Sequence, residues 1–595
     1  MSCEKIDAYK IYYKEEKCVW KKERKVKIFI VLFIIIYYLP TYWTKMYISS
    51  DEFSAIAVPA ILSGVDWRET VALNSYHGIG YTILMTPLFL FCKNYVLAHA
   101  VIILYGISVK IISAELLYDI FENYFNVDII LACVMSLMYA CGPTSGDSYG
   151  ISALSEAPIA LCLIVAIWSY FKYKKKNSSK WLFLAIGSIL YTYTIHSRSL
   201  IILLSTLIIL VVYAIREGGG KKKLFLAIVF SILLLVVLKF GVKEIQCIIF
   251  DIKKPTELIN DPSMVMESSA YQLKKLLKID SLVLSLQICA SLIFSQSMLV
   301  LGIGAVSLAT CIYTVIYTFF NKEKIDGTIQ YISLFALLCI LGMNLGIGIQ
   351  AVGRIEEGNY SWLTYTRYAE PFWVLAYIIF VYYLNQRKSY GIRIIWGGSI
   401  ICEVICVEKY LVNMLTDYGL KNSVINRIFY CNQSIEKYLF LFCKMGVLII
   451  GLFIIFCNKK IFMNLLIFTI AIGLVMINYQ YVNYYVDKEK VEYASVSSTA
   501  EVITELKNEF SDIKIYADSE NVVYSNKLQY VLYDTVSLKY LGENEKVNSS
   551  FVYVNDYMDK SNKYDYIVKL AENQYIATSN KKIYSKIVEL NKENR

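Results

Sequence analysis

The sequence predicts an all-α polytopic membrane protein with a small α/β domain at its C-terminal end. Of the 595 residues, 57% are hydrophobic and only 18% are charged, whereas soluble domains contain roughly 45–50% apolar and about 25% charged residues. Mean hydropathy is +0.49. Long apolar runs fill most of the chain, and the composition turns polar after Tyr479. These observations exclude a disordered chain, a nucleic-acid-binding module and an ordinary cytosolic enzyme.

The net charge is +10, and the positions of the basic residues along the chain indicate the membrane topology. The basic residues stand between apolar runs in short clusters: Lys21–Lys27, Lys172–Lys180, Arg216–Lys223, Lys322–Lys324, Arg387–Arg393 and Lys459–Lys460. Cytoplasmic loops of membrane proteins carry an excess of Lys and Arg, and such clusters also attract anionic lipid. We therefore expect residues 1–27 in the cytoplasm, membrane lipid around the protein and no nucleic-acid partner.

Apolar runs recur throughout residues 28–478, the predicted transmembrane domain. A spanning helix needs about 20 residues, because each adds roughly 1.5 Å to a crossing of about 30 Å. Candidate spans begin near Ile28, Gly78, Val96, Ile129, Gly150, Trp181, Ser199, Leu224, Met298, Ile329, Pro371, Ile394, Tyr438 and Ile461.

One of the early runs is expected not to cross. Five apolar runs lie between the basic clusters Lys21–Lys27 and Lys172–Lys180, which are both expected in the cytoplasm. An odd number of runs cannot all cross the membrane and return the chain to the same side. We expect the exception to be either Gly78–Phe91, which contains Pro87, or Ile129–Tyr139. About 13 crossings remain, with the N-terminus in the cytoplasm and the C-terminus outside.

Three outer loops and the tail are long enough to form structure of their own. The first outer loop spans residues 44–77, a second is expected from Val242 to about Leu286, and a third from Ala351 to Glu370. The tail, residues 479–595, is predicted to be an extracytoplasmic α/β domain that contacts the acceptor, with a helical stretch at Thr499–Phe510. Its predicted strands are Ile513–Ala517, Tyr530–Tyr533, Phe551–Val554 and Tyr564–Leu570.

The cysteines and histidines do not indicate a metal centre. None of the 15 cysteines forms a CxxC pair, so zinc or thioredoxin-like chemistry is not expected. The only histidines are His77, His99 and His196. No cofactor is identified, although a divalent ion bound by acidic oxygens stays open as an alternative. Its ligands would be Asp51, Glu52, Asp147 and Glu156.

Two adjacent carboxylates, Asp51 and Glu52, follow the first span at the start of an apolar run. One interpretation is structural: Ser50 caps a helix, and the acids complement the helix dipole in the first turn. The other is chemical, because a carboxylate at the membrane surface can remove a proton from an acceptor hydroxyl. The residues alone leave both interpretations open.

Cations near the predicted outer face are candidates for binding a phosphate. His196 and Arg198 stand in a tight turn between two spans, and Arg354 and Arg367 flank the loop before Pro371. An ionisable side chain at membrane depth is a functional candidate, although long basic side chains also extend to lipid headgroups without binding a ligand.

Glu156 begins an apolar run at the predicted outer end of a span, with Ser155 before it and Pro158 shortly after. It either serves as a helix-start acid, orients a cation, or binds sugar hydroxyls.

Four short motifs occur in a fixed order in roughly the first 380 residues. They are Asp51-Glu52, Tyr76-His77-Gly78-Ile79-Gly80-Tyr81 leading to Pro87-Leu88-Phe89, Ser155-Glu156, and Arg367-Tyr368 with Pro371. In this order, and with about 13 spans, the chain resembles the GT-C type of membrane glycosyltransferases, the group of protein O-mannosyltransferases and aminoarabinose transferases.

The resemblance implies transfer of a sugar, with inversion, from a polyprenyl-phosphate-linked donor to a cell-envelope glycan or protein. The catalytic base would be Asp51 or Glu52. The donor phosphate would be bound by Arg367, Arg198, His196 and Arg354. The sugar or acceptor would be bound by Glu156, Tyr368 and His77. Some members of the group use a divalent ion and others do not. A composition rich in Lys, Ile and Tyr indicates a bacterial protein, which we expect in the cell membrane.

Two alternatives belong to other classes. A transporter or flippase for a lipid-linked glycan would carry its charges midway through spans. A polysaccharide polymerase or ligase would carry its essential arginines in a large late outer loop. The early loop with Asp51 and Glu52 favours the transferase.

Overall fold

The computed structural model contains a helical domain that one long helix connects to an α/β domain. It describes residues 22–40, 48, 50–71, 78, 80–143, 151–217, 221–251, 277–320, 327–356, 362–363, 366–386, 390–406, 436–456, 460–517, 522–540, 551–555, 565–571 and 574–593. The helices before the tail are α1 (22–40), α2 (Ser50–Leu62), α3 (Arg68–Val71), α4 (Thr86–Phe89), α5 (Tyr95–Asn123), α6 (Ile129–Cys141), α7 (Glu156–Lys176), α8 (Ser179–Ile195), α9 (Leu200–Glu217), α10 (Lys221–Phe250), α11 (Ile279–Leu299), α12 (Ile303–Phe320), α13 (Gly327–Glu356), α14 (Trp373–Gln386), α15 (Tyr390–Cys406) and α16 (Glu436–Phe456).

Several of these helices are suited to cross a membrane. Within the described ranges, five stretches are long and apolar enough: Tyr95–Asn123, Glu156–Lys176, Ile279–Ser297, Gly327–Glu356 and Ile461–Gln480. Large apolar side chains are exposed on other helices, Phe183 on α8 and Ile215 on α9 among them. An apolar helix surface of this kind is typical of a protein that is surrounded by lipid. The chain is therefore a multi-pass membrane protein.

The early run from Gly78 to Phe91 does not form a spanning helix. It contains a 3₁₀ turn at Thr82–Met85 followed by the four-residue α4, in which Pro87 stands in the first turn. The other suspected run forms α6, whose 13 residues extend about 20 Å. Neither of the two suspected runs therefore forms a helix of the roughly 20 residues that a crossing needs.

The predicted outer loop from Val242 to Leu286 is wrong at both ends. Helix α10 extends to Phe250 and α11 begins at Ile279, while residues 252–276 lie outside the described ranges. Polar residues interrupt the hydropathy of α11, and two of them bond to the backbone of the segment before α14. Ser291 donates a hydrogen bond to the Leu363 carbonyl at 2.7 Å.

Helix α7 has an acidic end and a basic end. Glu156 opens its first turn, Lys174–Lys176 form its last turn, and the left-handed Asn177 (φ 47°) ends it. Near the basic end, Asp119 of α5 pairs with Lys172 at 3.5 Å and with Lys27 of α1 at 3.9 Å. About 30 Å separates the two ends, given a rise of roughly 1.5 Å per residue.

Helix α17 (Lys460–Glu509) continues without a break from the membrane domain into the tail. Its apolar part ends at Gln480, so the change of composition after Tyr479 falls inside the helix. Its C-terminal part packs on the tail domain, where Val502, Ile503 and Leu506 are buried.

The tail domain is a five-stranded sheet with helices packed against it. The strands are β1 (Lys514–Ala517), β2 (Lys539–Tyr540), β3 (Phe551–Asn555), β4 (Tyr566–Ala571) and β5 (Gln574–Thr578), and the helices are α18 (Val522–Leu532) and α19 (Lys581–Glu593). The strand order is β2-β1-β3-β5-β4. Strand β1 pairs in parallel with β2 and β3, while β5 pairs antiparallel with β3 and β4. The predicted fold class, a helical membrane protein with a small C-terminal α/β domain, is confirmed.

The predicted strand at Tyr530–Tyr533 is wrong, because residues up to Leu532 belong to α18. The buried side chains of Tyr524, Leu528 and Leu532 recur every four residues, which is the spacing of one helix face.

Helix α18 docks the tail domain on the first loop. Trp67 is fully buried, stacks on Phe53 of α2, and donates a hydrogen bond from Nε1 to the Tyr533 carbonyl at 3.0 Å. Next to it, Gln529 Oε1 accepts from the Thr70 hydroxyl at 3.2 Å. At the rim, the Glu69 carboxylate lies 2.9 Å from Lys539 and raises the pKa of that ammonium group.

Replacing Trp67 with Ala is expected to loosen this docking by about 3–5 kcal/mol, the usual cost of removing a buried tryptophan. Hydrogen exchange across residues 522–540 should then become faster. Trp67→Phe, which keeps a ring and loses one hydrogen bond, should cost about 1 kcal/mol. Equal protection in wild type and Trp67→Ala would show that the domain is held elsewhere.

Candidate active site

The two carboxylates of the first loop have different environments. Residues 52–61 of α2 are all buried, whereas Asp51 keeps 33% of its side chain exposed. Glu52 is turned into the protein, and its Oε1 accepts a hydrogen bond from the backbone N–H of Ala153 at 3.0 Å. Adjacent residues on a helix point about 100° apart, so only Asp51 faces the accessible side.

Glu52 and Tyr81 together fix the segment that leads into α7. Glu52 binds the N–H of Ala153, and the Tyr81 hydroxyl donates to the carbonyl of the same residue. Both side chains are buried. Since α7 begins at Glu156, three residues further on, these bonds set the position of the Glu156 carboxylate.

Glu156 lies between two arginines that come from distant parts of the chain. Its Oε1 is 3.1 Å from Nε of Arg367 and 3.3 Å from Nη1 of Arg198. Arg367 also donates from Nη1 to Asp51 Oδ2 at 2.8 Å. Two carboxylates and two guanidinium groups thus form one ion network, which we call the arginine–carboxylate cluster: Asp51, Glu156, Arg198 and Arg367.

The cluster is shielded from solvent to different degrees. Glu156 exposes 1% of its side chain and Arg367 exposes 8%, whereas Asp51 is the most accessible member at 33%. Buried charges are retained only when they are paired and hydrogen-bonded. The opposite charges of the cluster meet that condition.

His196 and Tyr368 border the cluster. His196 Nε2 lies 2.6 Å from Nη2 of Arg198. The Tyr368 ring packs against the guanidinium groups, with its centroid 3.6 Å from Arg198 Cζ and 5.7 Å from Arg367 Cζ. Stacking on an aromatic face leaves the edge of an arginine free to bind anions.

The glycines of the 76–81 motif allow the chain to approach α8 closely just before His196. A Cβ on Gly78 would lie 2.2 Å from the Thr194 carbonyl oxygen, and one on Gly80 would overlap the Thr194 side chain. The Gly80 N–H donates to the same carbonyl at 2.8 Å. Only glycine fits both positions, which explains this part of the motif physically.

Helix α11 supports the turn that carries Arg367. Gln296 donates from Nε2 to the Thr366 carbonyl at 2.9 Å and accepts from Nε1 of Trp373. The Thr366 hydroxyl donates to Glu370 at 3.0 Å. Sequence reasoning missed Gln296, Thr366 and Trp373, because nothing in the linear order links α11 to this turn.

The described residues do not fit a divalent ion at the cluster. Among them, no group of three or more His, Cys, Asp or Glu side chains is arranged to hold a metal. One oxygen of Asp51 and one oxygen of Glu156 are already engaged by Arg367 and Arg198. Asp147, the other suggested ligand, lies outside the described ranges.

The structure thus brings together most of the side chains that the sequence singled out. Asp51, Glu156, Arg198, His196, Arg367 and Tyr368 meet at one place. Glu52 faces away from them. Arg354 stands in the last turn of α13, and the described contacts do not place it against the other arginines. His77 lies outside the described ranges.

Replacing Glu156 with Gln is expected to destabilise the protein by roughly 3 kcal/mol, because two shielded guanidinium groups would lose their shared anion. Thermal unfolding in detergent measures the change. The matched control is Glu69→Gln, which removes an exposed carboxylate paired with Lys539 and should change stability by less than about 1 kcal/mol. Identical shifts for the two variants would contradict the role of Glu156 as the centre of the network.

Comparisons with known proteins give structural similarities but no sequence match. No protein-family model matches the chain, and no curated protein matches it by sequence. The crystal structure of ArnT from Cupriavidus metallidurans in the apo state aligns with a TM-score of 0.48 and 11% sequence identity, over 93% of this chain and 98% of that chain. A similarity of this strength carries no inference about function, which is therefore proposed from the described side chains.

Proposed function

We propose that this chain is an inverting membrane glycosyltransferase of the GT-C type. It moves a sugar from a polyprenyl-phosphate-linked donor to an acceptor hydroxyl of a cell-envelope glycan or protein. The observation that carries the proposal is the arginine–carboxylate cluster. There an accessible carboxylate, Asp51, lies 2.8 Å from Arg367, and Arg198 shares the Glu156 carboxylate with Arg367.

Helix α7 supports a location of the cluster at the outer membrane surface. Its basic end is expected in the cytoplasm by the positive-inside rule, and Glu156 stands about 30 Å away at its other end, which is the thickness of the hydrocarbon core. A phosphate attached to a membrane lipid also lies at such an interface. The tail domain, docked on the first loop through Trp67, borders the same side and would contact the acceptor.

The two charge types of the cluster match the two needs of the reaction. The Asp51 carboxylate takes the proton of the acceptor hydroxyl as its oxygen forms a bond to the anomeric carbon of the sugar. The bond between that carbon and the phosphate oxygen breaks, and its electron pair stays on the phosphate. The guanidinium groups of Arg367 and Arg198 stabilise the charge that develops on polyprenyl phosphate. Attack from the face opposite the phosphate inverts the anomeric configuration.

The other side chains take supporting roles. Glu156 orients both arginines, and Glu52 and Tyr81 hold the segment before α7 in place. Tyr368 stacks on Arg198 and would contact the sugar. His196 adds a donor at the phosphate. Arg354 and His77 stay candidates for the donor phosphate and for the sugar or acceptor, respectively.

The experiment that tests the function uses purified wild-type protein in detergent with radiolabelled polyprenyl-phosphate sugars and extracted cell-envelope acceptors. Label should move to the acceptor, with an equal amount of polyprenyl phosphate released. No transfer from any donor, by protein shown to be folded and lipid-bound, would overturn the proposal.

A transporter for a lipid-linked glycan is the second candidate, and two buried charges favour it. Lys110 lies in the middle of α5 and exposes 1% of its surface, and Glu403 of α15 is fully buried. Ionisable side chains inside a membrane mark pathways of ions or substrates. In sealed vesicles a transporter would move the labelled lipid between leaflets with its sugar still attached, whereas a transferase would not.

A further inference from the structure

Asp51 lies where a phosphate would bind to Arg367. Arginine binds carboxylates and phosphates through the same fork of N–H groups. In the cluster, Nη1 of Arg367 is taken by Asp51 at 2.8 Å and Nε is taken by Glu156 at 3.1 Å. Asp51, the proposed catalytic base, thus occupies the place on Arg367 where the donor phosphate is proposed to bind.

The two carboxylates differ in how easily they can be displaced. Glu156 is almost fully buried, contacts both arginines and accepts from the Ser155 hydroxyl at 3.4 Å. Asp51 is one-third exposed and stands in the first turn of α2. An anion that arrives from the accessible side therefore meets Asp51 first.

Charge balance points the same way. The two carboxylates of the cluster already neutralise its two guanidinium groups. A phosphodiester adds a further negative charge in a shielded place, where like charges repel strongly. The repulsion is relieved when Asp51 leaves Arg367, because the phosphate then takes over the pairing.

We propose that the donor phosphate displaces Asp51 from Arg367 and thereby frees it to act as the base. The inference rests on the proposed function and adds an order of events: the donor binds before the acceptor can be deprotonated. Without donor, Oδ2 of Asp51 is engaged by Arg367 and is not available to an acceptor hydroxyl. Binding of the phosphate to Arg367 therefore also releases the catalytic base.

The test measures binding of farnesyl monophosphate to the purified full chain in detergent by titration calorimetry. This probe carries the phosphate and an isoprenyl chain but no sugar, so no transfer occurs. Asp51→Asn and Asp51→Ala should both bind it roughly tenfold more tightly than wild type, because a competing charged hydrogen bond is lost. The second variant is needed because an asparagine amide could itself donate to the phosphate, whereas alanine cannot.

Two further variants make the outcomes distinct. Asp66→Asn is the matched control, since Asp66 pairs with Arg68 at 3.6 Å outside the cluster, and it should bind as wild type does. Arg367→Ala should bind most weakly. Equal or weaker binding by both Asp51 variants, with Arg367→Ala still impaired, would overturn the exchange and leave the proposed function standing. Absence of binding to wild type, or no effect of Arg367→Ala, would overturn the phosphate site itself.

Discussion

Replacing Asp51 with Asn is expected to lower kcat for sugar transfer by about 10²–10⁴-fold, the range that one general base contributes. The amide keeps the size of the side chain but cannot accept the acceptor proton. The KM for the donor should stay the same or fall, because Arg367 keeps Glu156 as a partner. Steady-state transfer assays on purified protein, with thermal unfolding as a check of folding, measure both quantities.

Glu52→Gln is the matched control for that prediction. Its amide oxygen can still accept the Ala153 N–H, so we expect a much smaller loss of kcat. Equal losses in the two variants would remove the distinction between base and positioning residue. Normal activity in both would remove the first loop from catalysis altogether.

Replacing Arg367 with Ala is expected to raise the donor KM roughly 30- to 100-fold, the effect of losing a charge-assisted hydrogen-bond donor. The kcat should fall as well, because the departing phosphate loses part of its stabilisation. The donor KM of Arg367→Lys should lie between those of wild type and Arg367→Ala, since lysine keeps the charge but not the planar fork. Titration of the donor at saturating acceptor separates the two constants.

Arg68→Ala provides the control for the arginine. Arg68 belongs to the first loop but pairs with Asp66 and donates to the Ile249 carbonyl, away from the cluster. Its loss should leave the donor KM within about twofold. An unchanged donor KM in Arg367→Ala would exclude Arg367 from the donor site.

The sequence predicts the helical membrane class because the hydrophobic cost of exposing apolar runs to water is large. The predictions for individual elements are wrong where helices are stabilised by tertiary contacts. Helix α11 carries serines and Gln296, which lower its hydropathy, yet Ser291 and Gln296 bond to the loop before α14. The pattern around Tyr530 predicts a strand because tyrosine favours strands. In the structure Tyr530 lies in helix α18, where its ring packs against Trp67 of the first loop.

The site shows a similar limit. The candidate residues could be named from charge and position, but their pairing could not, because Asp51 and Arg367 are 316 residues apart in the chain. Asp51 and Glu52 could not be told apart either. Their difference depends on the rotation of α2, which is set by the Ala153 N–H that binds Glu52.

The measurement that tests the central claim most directly is a single turnover with donor-loaded protein. Wild type and Asp51→Asn are loaded with radiolabelled donor, mixed with excess acceptor and stopped at successive times. Wild type should convert its bound donor to glycosylated acceptor of inverted anomeric configuration, while Asp51→Asn should retain intact donor. Transfer by Asp51→Asn at the wild-type rate, or a product of retained configuration, would contradict the account.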